Sequence, residues 1–510
     1  MKIAMTGVSG DMGREAIKAV LALPVGACVR VLLTPKKKND EFARRLKREY
    51  GARVEIVRGD VTRREDCDRL VAGAEYVLHM AGVIPPVSDH SPSLSHRVNF
   101  GGTAAMTDAV RACSPQPAFI HISSVAVYGN RTMAHPFGRV GDPLLPSPFE
   151  AYELHKLKAE RYVLDAGLEK FVILREGAML HDKMLENNMS DPLMFHIVLN
   201  SPLEWVSARD TARLFANIFL RESKGEIDGF WNNVYNVGAG ETGRDTGYDT
   251  LVDGFAVIGG DPERYFRPEW FPTRNFHGLW FYDAGELEAL FSFQRDGVHE
   301  YWQEIAKSHP LFSLGKVVPP ELIHEFLFKK LLNMEGSPAK WIEDGDKARI
   351  FAYFGGEEGV KELPKRWEDV SLACKQPGFE ALKRGEGAEL LSHGFDDLKP
   401  MREWTIEDAK SAAKFRGGKC LSEEMPSLTA PLVWQCAEGH TFEASALTVM
   451  RAGHWCPKCC YPRPWKFDLL AKRNPYFAQV WYDSHAEDED AEYNIENGAP
   501  AVKRAQGEKI

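Results

Sequence analysis

Tyr152 and Lys156 stand four residues apart, so on a helix they share one face about one turn from each other. A phenol beside an ammonium suits proton exchange with an alcohol or carbonyl oxygen. Free tyrosine titrates near ~10, and a neighbouring positive charge favours the phenolate. Ser124 closes the stretch Ile122-Ser123-Ser124 and supplies a hydroxyl able to hold and orient that oxygen. Tyr-x-x-x-Lys is frequent on protein surfaces, so its meaning depends on the fold that carries it. A second constellation lies far downstream: Cys436 and His440, then Cys456 and Cys459 in a Cys-Pro-Lys-Cys turn. Two such pairs are the donor set of tetrahedral zinc. Because protein fills all four positions, the expected ion is structural rather than water-activating. Cys420 and Cys460 stand as substitutes, and His454 reads as a surface or packing residue.

The elements that must position the first set begin at the N-terminus. Ile3 to Met5 read as a short buried strand that leaves no room for a leader. Thr6-Gly7-Val8-Ser9-Gly10-Asp11-Met12-Gly13 follows, and an amphipathic helix continues through Ala16, Ile17, Val20 and Leu21. Strand, glycine loop and helix open a dinucleotide-binding βαβ unit. Gly7 allows the tight turn, Gly10 a close pyrophosphate, and Gly13 close helix–sheet packing. The helix N-terminus, with Ser9, Asp11 and Met12 around it, offers free N–H groups to phosphate. The second strand, Cys28 to Leu33, ends in Thr34-Pro35-Lys36-Lys37-Lys38 rather than in a carboxylate. Lys36 and its neighbours suit a ribose 2′-phosphate, so the expected cofactor is NADP(H) in preference to NAD(H). A solvated lysine run is the plain alternative.

Strands follow at Val54 to Val57, Val77 to Met80 and Phe119 to Ser123, with charged or amphipathic helices between them, including Glu41 to Tyr50. That alternation predicts an α/β fold with a parallel sheet covered on both faces. The ordered motifs TGVSGDMG, Gly59-Asp60-Val61, His79-Met80-Ala81-Gly82, VNFGGT at 98–103, ISSVAVYG at 122–129 and YELHK at 152–156 resemble an extended short-chain dehydrogenase/reductase of the NAD-dependent epimerase/dehydratase type. LREG at 174–177, VSARDTA at 206–212 and VYNVGAG at 234–240 extend the resemblance to about residue 310. It implies a doubly wound Rossmann sheet with a smaller substrate-binding subdomain. It also implies that Asp60 and Val61 contact adenine, that Ala81 and Gly82 line the cofactor channel, and that Asn99 supports the active-site water or backbone. Lys156 would hold the nicotinamide ribose, and Tyr152 would lie beside the cofactor. The implied function is an NAD(P)-dependent oxidoreductase or epimerase at a hydroxyl or keto group, with nucleotide-linked sugars among the substrates.

Two departures qualify this. Val125-Ala126 stand where sugar 4,6-dehydratases of the family carry an acidic pair, which argues against that dehydration route. Arg175 is followed by Glu176 where the family has proline. Further on, Tyr265 to Phe281 is dense in aromatics and carries Arg267 and Arg274, with Arg264 just before it. It reads either as a substrate pocket or as a hydrophobic core with surface arginines.

At 510 residues, two or three domains are expected. We divide the chain into 1–310, a helical linker or subdomain over 311–410, a zinc-ribbon or treble-clef-like module over 411–484, and an acidic disordered tail over 485–510. The net charge of −10 argues against whole-chain adsorption to nucleic acid or anionic membrane. Basic residues from Lys414 to Arg473, interleaved with Trp434, Trp455 and Trp465, nonetheless admit a second reading, a dinucleotide sensor whose zinc module binds nucleic acid or a protein. We favour a docking or structural module, a small-molecule substrate, a homodimer and a reducing cytoplasm, the last from nine cysteines without a secretory signal. No apolar run is long enough to span a bilayer. The zinc module is expected to stand apart from the nicotinamide chemistry, so that its loss leaves Gly7 to Ile305 able to bind cofactor.

Overall fold

The computed structural model describes residues 1–147, 149–184, 191–461, 465–494 and 501–504. Its centre is a seven-stranded parallel sheet. The strands are β1 (Lys2–Thr6), β2 (Cys28–Leu33), β3 (Val54–Arg58), β4 (Tyr76–His79), β5 (Ala118–Ser124), β6 (Phe171–Glu176) and β7 (Asn233–Val237). They run in the order β7-β6-β5-β4-β1-β2-β3, every pairing parallel. The order reverses beside β1, and such a switch point opens a crevice at the carboxyl ends of the strands. β5 and β6 are buried along their whole length, as strands covered on both faces must be.

Helices α1 (Asp11–Leu21) and α2 (Lys37–Tyr50) cover one face together with the long helix Ala208–Glu222. Helices α3 (Arg64–Val71), α4 (Thr103–Arg111) and α5 (Ala151–Asp165) cover the other. α5 is buried on nearly every side. Its stripe Tyr152, Lys156 and Glu160 recurs every fourth residue. The aromatic stretch 265–281 is a core: Tyr265, Phe266, Trp270 and Phe271 pack with Phe195, Phe255 and Phe328. Pro192–Phe195 form one short 3-10 turn.

The expected boundaries at 311 and 411 do not separate independently packed units. One core contains Leu145 and Leu154, then Trp341, Tyr353 and Leu391, then Trp434, Trp455 and Trp465, and finally Ala491 and Tyr493. Leu447 and Ala452 enter the core beneath α3, α4 and α5. Polar seams follow the same course. His393 Nε2 lies 2.8 Å from Asp142, Arg139 donates to Leu391 O at 3.0 Å, and Arg274 meets Glu489 at 2.7 and 3.0 Å. Arg274 is therefore a structural residue rather than an anion receptor.

Thr441–Ser445 is a strand, because buried Phe442 and Ala444 alternate with exposed Thr441 and Glu443, and helical residues follow from Ala446. One expectation changes. The tail expected to be disordered has structure where it is described. Ala491–Asn494 pairs antiparallel with Ala501–Arg504, Ala491 N donates to Asp468 at 2.7 Å, and Tyr493 is fully buried. Ala491 and Tyr493 flank Glu492 with a period of two, which outweighs the preceding acidic run. Residues 495–500 and 505–510 lie outside the described residues.

The shared core predicts one cooperative calorimetric transition for the whole chain, with calorimetric and van't Hoff enthalpies in agreement. Two separable transitions, one assignable to residues beyond 410, would show that the C-terminal part folds by itself.

Candidate active site and metal centre

The glycine loop is dictated by close approach. Gly7 has φ +73°, and a Cβ there would lie 2.7 Å from the Met80 carbonyl carbon. A Cβ on Gly13 would lie 2.3 Å from Gly7 O. Gly10 N donates to Gly7 O at 3.0 Å, and α1 starts at Asp11 with its first N–H groups free for an anion. Ser9 O accepts from Arg14, while Met12 packs against the apolar core. A narrow cradle at a helix start fits a dinucleotide pyrophosphate.

The Asp60 carboxylate accepts from Thr62 N and Oγ1 at 2.9 and 2.8 Å, and Val61 is buried against Gly102. Ala81 N donates to Thr6 Oγ1 at 3.0 Å. Asn99 clamps the neighbouring loop, accepting from Val83 N at 2.7 Å and donating to Val83 O at 2.8 Å. A Cβ on Gly82 would sit 3.4 Å from Asn99 Oδ1 and 3.5 Å from Lys156 Nζ. Lys36, Lys37 and Lys38 are exposed beyond β2 at the start of α2.

Ser124, Tyr152 and Lys156 come together. Tyr152 hydrogen-bonds Ser124, whose Oγ also accepts from Ala126 N at 3.2 Å. Lys156 Nζ donates to Ile122 O at 2.9 Å and lies 6.0 Å from the centre of the Tyr152 ring. The ammonium does not depress the phenol. Burial pushes Tyr152 up to about 12, against the opposing pull of the Ser124 hydrogen bond, and the same burial brings Lys156 down to about 8.

Three features escaped the sequence reading. Glu176 is buried near Lys156, accepts from Thr211 Oγ1 at 3.1 Å, and leaves Oε1 without a partner among the described residues. His277 Nδ1 meets Glu153 at 2.6 Å, one residue from the phenol. Glu160, one turn beyond Lys156, binds Arg175 at 2.8 Å, Ser123 Oγ and His454 Nε2 at 3.2 Å. The available signal was two charged residues, Arg175-Glu176, closing an apolar strand.

The four expected metal ligands also converge. Their donor atoms lie within 4.8 Å of one another, with Cys436 Sγ to Cys459 Sγ at 3.6 Å and His440 Nδ1 to the Cys459 and Cys456 sulfurs at 3.4 and 3.8 Å. Zn–S bonds of ~2.3 Å and Zn–N bonds of ~2.0 Å at tetrahedral angles require about these separations. The cluster does not stand apart from α5. Arg161 of α5 donates to Trp455 O and Glu443 O at 3.2 and 2.8 Å, and His454 touches Glu160. His454 packs in the interior, not at the surface. Trp434, Trp455 and Trp465 are buried to within 1%, so none of them can stack on a base. Arg416 is buried too, and Arg463 lies outside the described residues.

The fold is a doubly wound parallel α/β sheet whose glycine loop fits a dinucleotide pyrophosphate. Residues 3–177 match the NAD dependent epimerase/dehydratase family. Human 3 beta-hydroxysteroid dehydrogenase type 7 is 34% identical over 125 residues, covering 23% of this chain and 32% of that protein. Ceramide reductase of Caulobacter vibrioides is 34% identical over 124 residues, covering 24% and 35%. The chain thus spans about a third of the length of the curated relatives it matches. Among solved structures, dTDP-glucose 4,6-dehydratase DesIV from Streptomyces venezuelae superposes with TM-score 0.48 at 19% identity, covering 62% of this chain and 98% of that one. No helix among the described residues is long and apolar enough to cross a membrane.

Burial raises Glu176 from 4.5 to about 8, with Thr211 and Lys156 opposing the rise. The folded state therefore holds a proton that the unfolded chain releases between those values, and stability falls as pH rises through that window. Glu176→Gln should match the parent near pH 4.5 and exceed it at pH 8 by roughly 2 °C or more in melting temperature. Parallel melting curves across that range would show that Glu176 is ionised in the fold.

Proposed function

We propose that the chain is an NAD(P)-dependent oxidoreductase, or an epimerase, acting at a hydroxyl or keto group, with Ser124, Tyr152 and Lys156 as its catalytic residues. The observation that carries this reading is the meeting of Tyr152 and Ser124 at one end of a cavity, with Lys156 beside Gly82 at the carboxyl ends of the parallel strands. The likeness to proteins named as a dehydrogenase and a reductase supports it.

Gly7, Ser9, Gly10, Asp11, Met12 and Gly13 would hold the pyrophosphate, Asp60 and Val61 the adenine, and Ala81, Gly82 and Lys156 the nicotinamide half. Lys36 with its two neighbours would favour NADP(H) through the 2′-phosphate. The bound dinucleotide supplies or accepts the hydride at carbon. Ser124 orients the substrate oxygen, Tyr152 exchanges its proton, and Asn99 keeps the Val83 backbone in place. Burial keeps the phenol neutral, the form that donates a proton to a ketone, so reduction uses the site as it stands.

Tyr152→Phe should lower turnover about 10²- to 10⁴-fold while changing dinucleotide affinity by no more than about twofold. Calorimetric titration should also find NADP⁺ tighter than NAD⁺. Unchanged turnover would remove Tyr152 from the chemistry, and tighter NAD⁺ would remove the lysine assignment.

We also infer that Cys436, His440, Cys456 and Cys459 hold one structural zinc. The converging donors support it. Elemental analysis should find about one zinc per chain, and Cys456→Ser should lose it together with part of the stability of the whole chain. Metal-free protein that melts at the parent temperature would refute this role.

A further inference from the structure

A cavity of about 850 Å³ runs from Ser124 and Val125 to the segment 311–328. Its volume lies in the upper part of the range of small-molecule sites, about 300–1,000 Å³. Its walls are apolar along their length: Met194, Leu203, Leu251, Phe255 and Leu279 lead outward from the catalytic end. Among the described lining residues there is no lysine or arginine. The one lining carboxylate, Glu204, accepts from Phe281 N at 2.7 Å and Gly240 N at 3.0 Å and pairs with Arg244. The mouth continues the pattern, since Leu311, Leu322 and Phe326 line it and remain 76%, 48% and 78% exposed.

We propose that the substrate is a lipid-sized apolar alcohol or ketone, held at Ser124 by its reacting oxygen and otherwise by hydrocarbon contact, and not a nucleotide-linked sugar. This rests on the oxidoreductase reading and supplies its substrate class. A diphosphate placed here would lose its hydration and meet no lysine or arginine, the one lining histidine, His277, being engaged by Glu153, and an uncompensated buried charge costs several kcal/mol. A hydrocarbon gains at every wall, about 25 cal/mol per Å² of apolar surface removed from water. The portion that reaches the surface meets Leu311 and Phe326, so an apolar tail longer than the cavity is tolerated.

The test uses the full chain and a homologous series of 2-alkanones from six to fourteen carbons, with UDP-glucose as the competing class. Binding is read from tryptophan fluorescence, since Trp205 and Trp302 line the cavity. Affinity should rise about three- to fourfold per added methylene until the cavity is filled, and UDP-glucose should not compete. Gly254→Phe should cut the series short. Gly254 lines the cavity, a Cβ there meets open space, and replacing a mid-helix glycine does not weaken the helix. Its affinity should stop rising at a shorter chain, with the shortest ketone still bound. Chain-length-independent affinity, or UDP-glucose displacing the ketones, would overturn the proposal. Graded binding without turnover of any ketone would keep this substrate class and sink the oxidoreductase reading. Turnover of UDP-glucose with flat ketone binding would do the reverse.

Discussion

The buried pair of Glu160 and Arg175 holds together the parts on which the site depends. Both side chains are fully buried. Burial alone would raise Glu160, but the Arg175 guanidinium and His454 outweigh it and keep the carboxyl well below the usual range. Glu160 sits on α5 one turn beyond Lys156 and also binds Ser123, the neighbour of Ser124. Arg175 closes strand β6, donates to Tyr128 Oη at 2.8 Å, and reaches Ala452 O at 2.7 Å. Helix, two central strands and the C-terminal segment therefore meet at one ion pair. Removing one partner of such a pair leaves an uncompensated charge and costs about 3–5 kcal/mol.

That pair remains ionised because its donors and acceptors are saturated. Beside it, the proposed catalytic groups drift towards neutrality for want of the same compensation. Lys156 has one carbonyl, Ile122 O, and falls to about 8; Glu176 has one hydroxyl and rises to about 8; Tyr152 has Ser124 and rises to about 12. A dry site with few fixed charges strengthens each remaining hydrogen bond. It also matches the apolar cavity in front of it, because a wet, charged substrate would bring its own solvent into this environment.

What the sequence made legible was what local geometry dictates. Gly7 and Gly13 are unavoidable where a Cβ would strike backbone within 3 Å. Tyr152 and Lys156 follow from helical spacing, and the two Cys/His pairs from the short turns a metal needs. The pieces left open between two readings depend on partners distant in the chain. Trp434, Trp455 and Trp465 between basic residues suggested a nucleic-acid platform, yet they form the seam with residues 341–391. Arg274 suggested an anion site, yet its partner is Glu489 in a tail that composition alone marked as disordered. Local composition cannot distinguish an exposed arginine from one matched by a distant carboxylate.

The same nonlocal packing changes what the metal knuckle is for. A small zinc ribbon alone has too little core to fold without its ion. Here Trp455 packs on Trp434 and Phe442 within a core it shares with Trp341 and Tyr353, so apolar burial already supports the ribbon. Arg416 adds a polar staple, donating to His393 O, Ala412 O and Val449 O and lying 3.8 Å over the Tyr476 ring. What a four-point metal site would add is position. Cys456 directly follows His454 and Trp455, whose side chain and carbonyl meet Glu160 and Arg161 on α5. An ion fixing the Cys456 sulfur would thus fix the backbone packed against that helix. The proposed metal pairs and the Tyr-Lys pair, far apart in sequence, are joined through one helix.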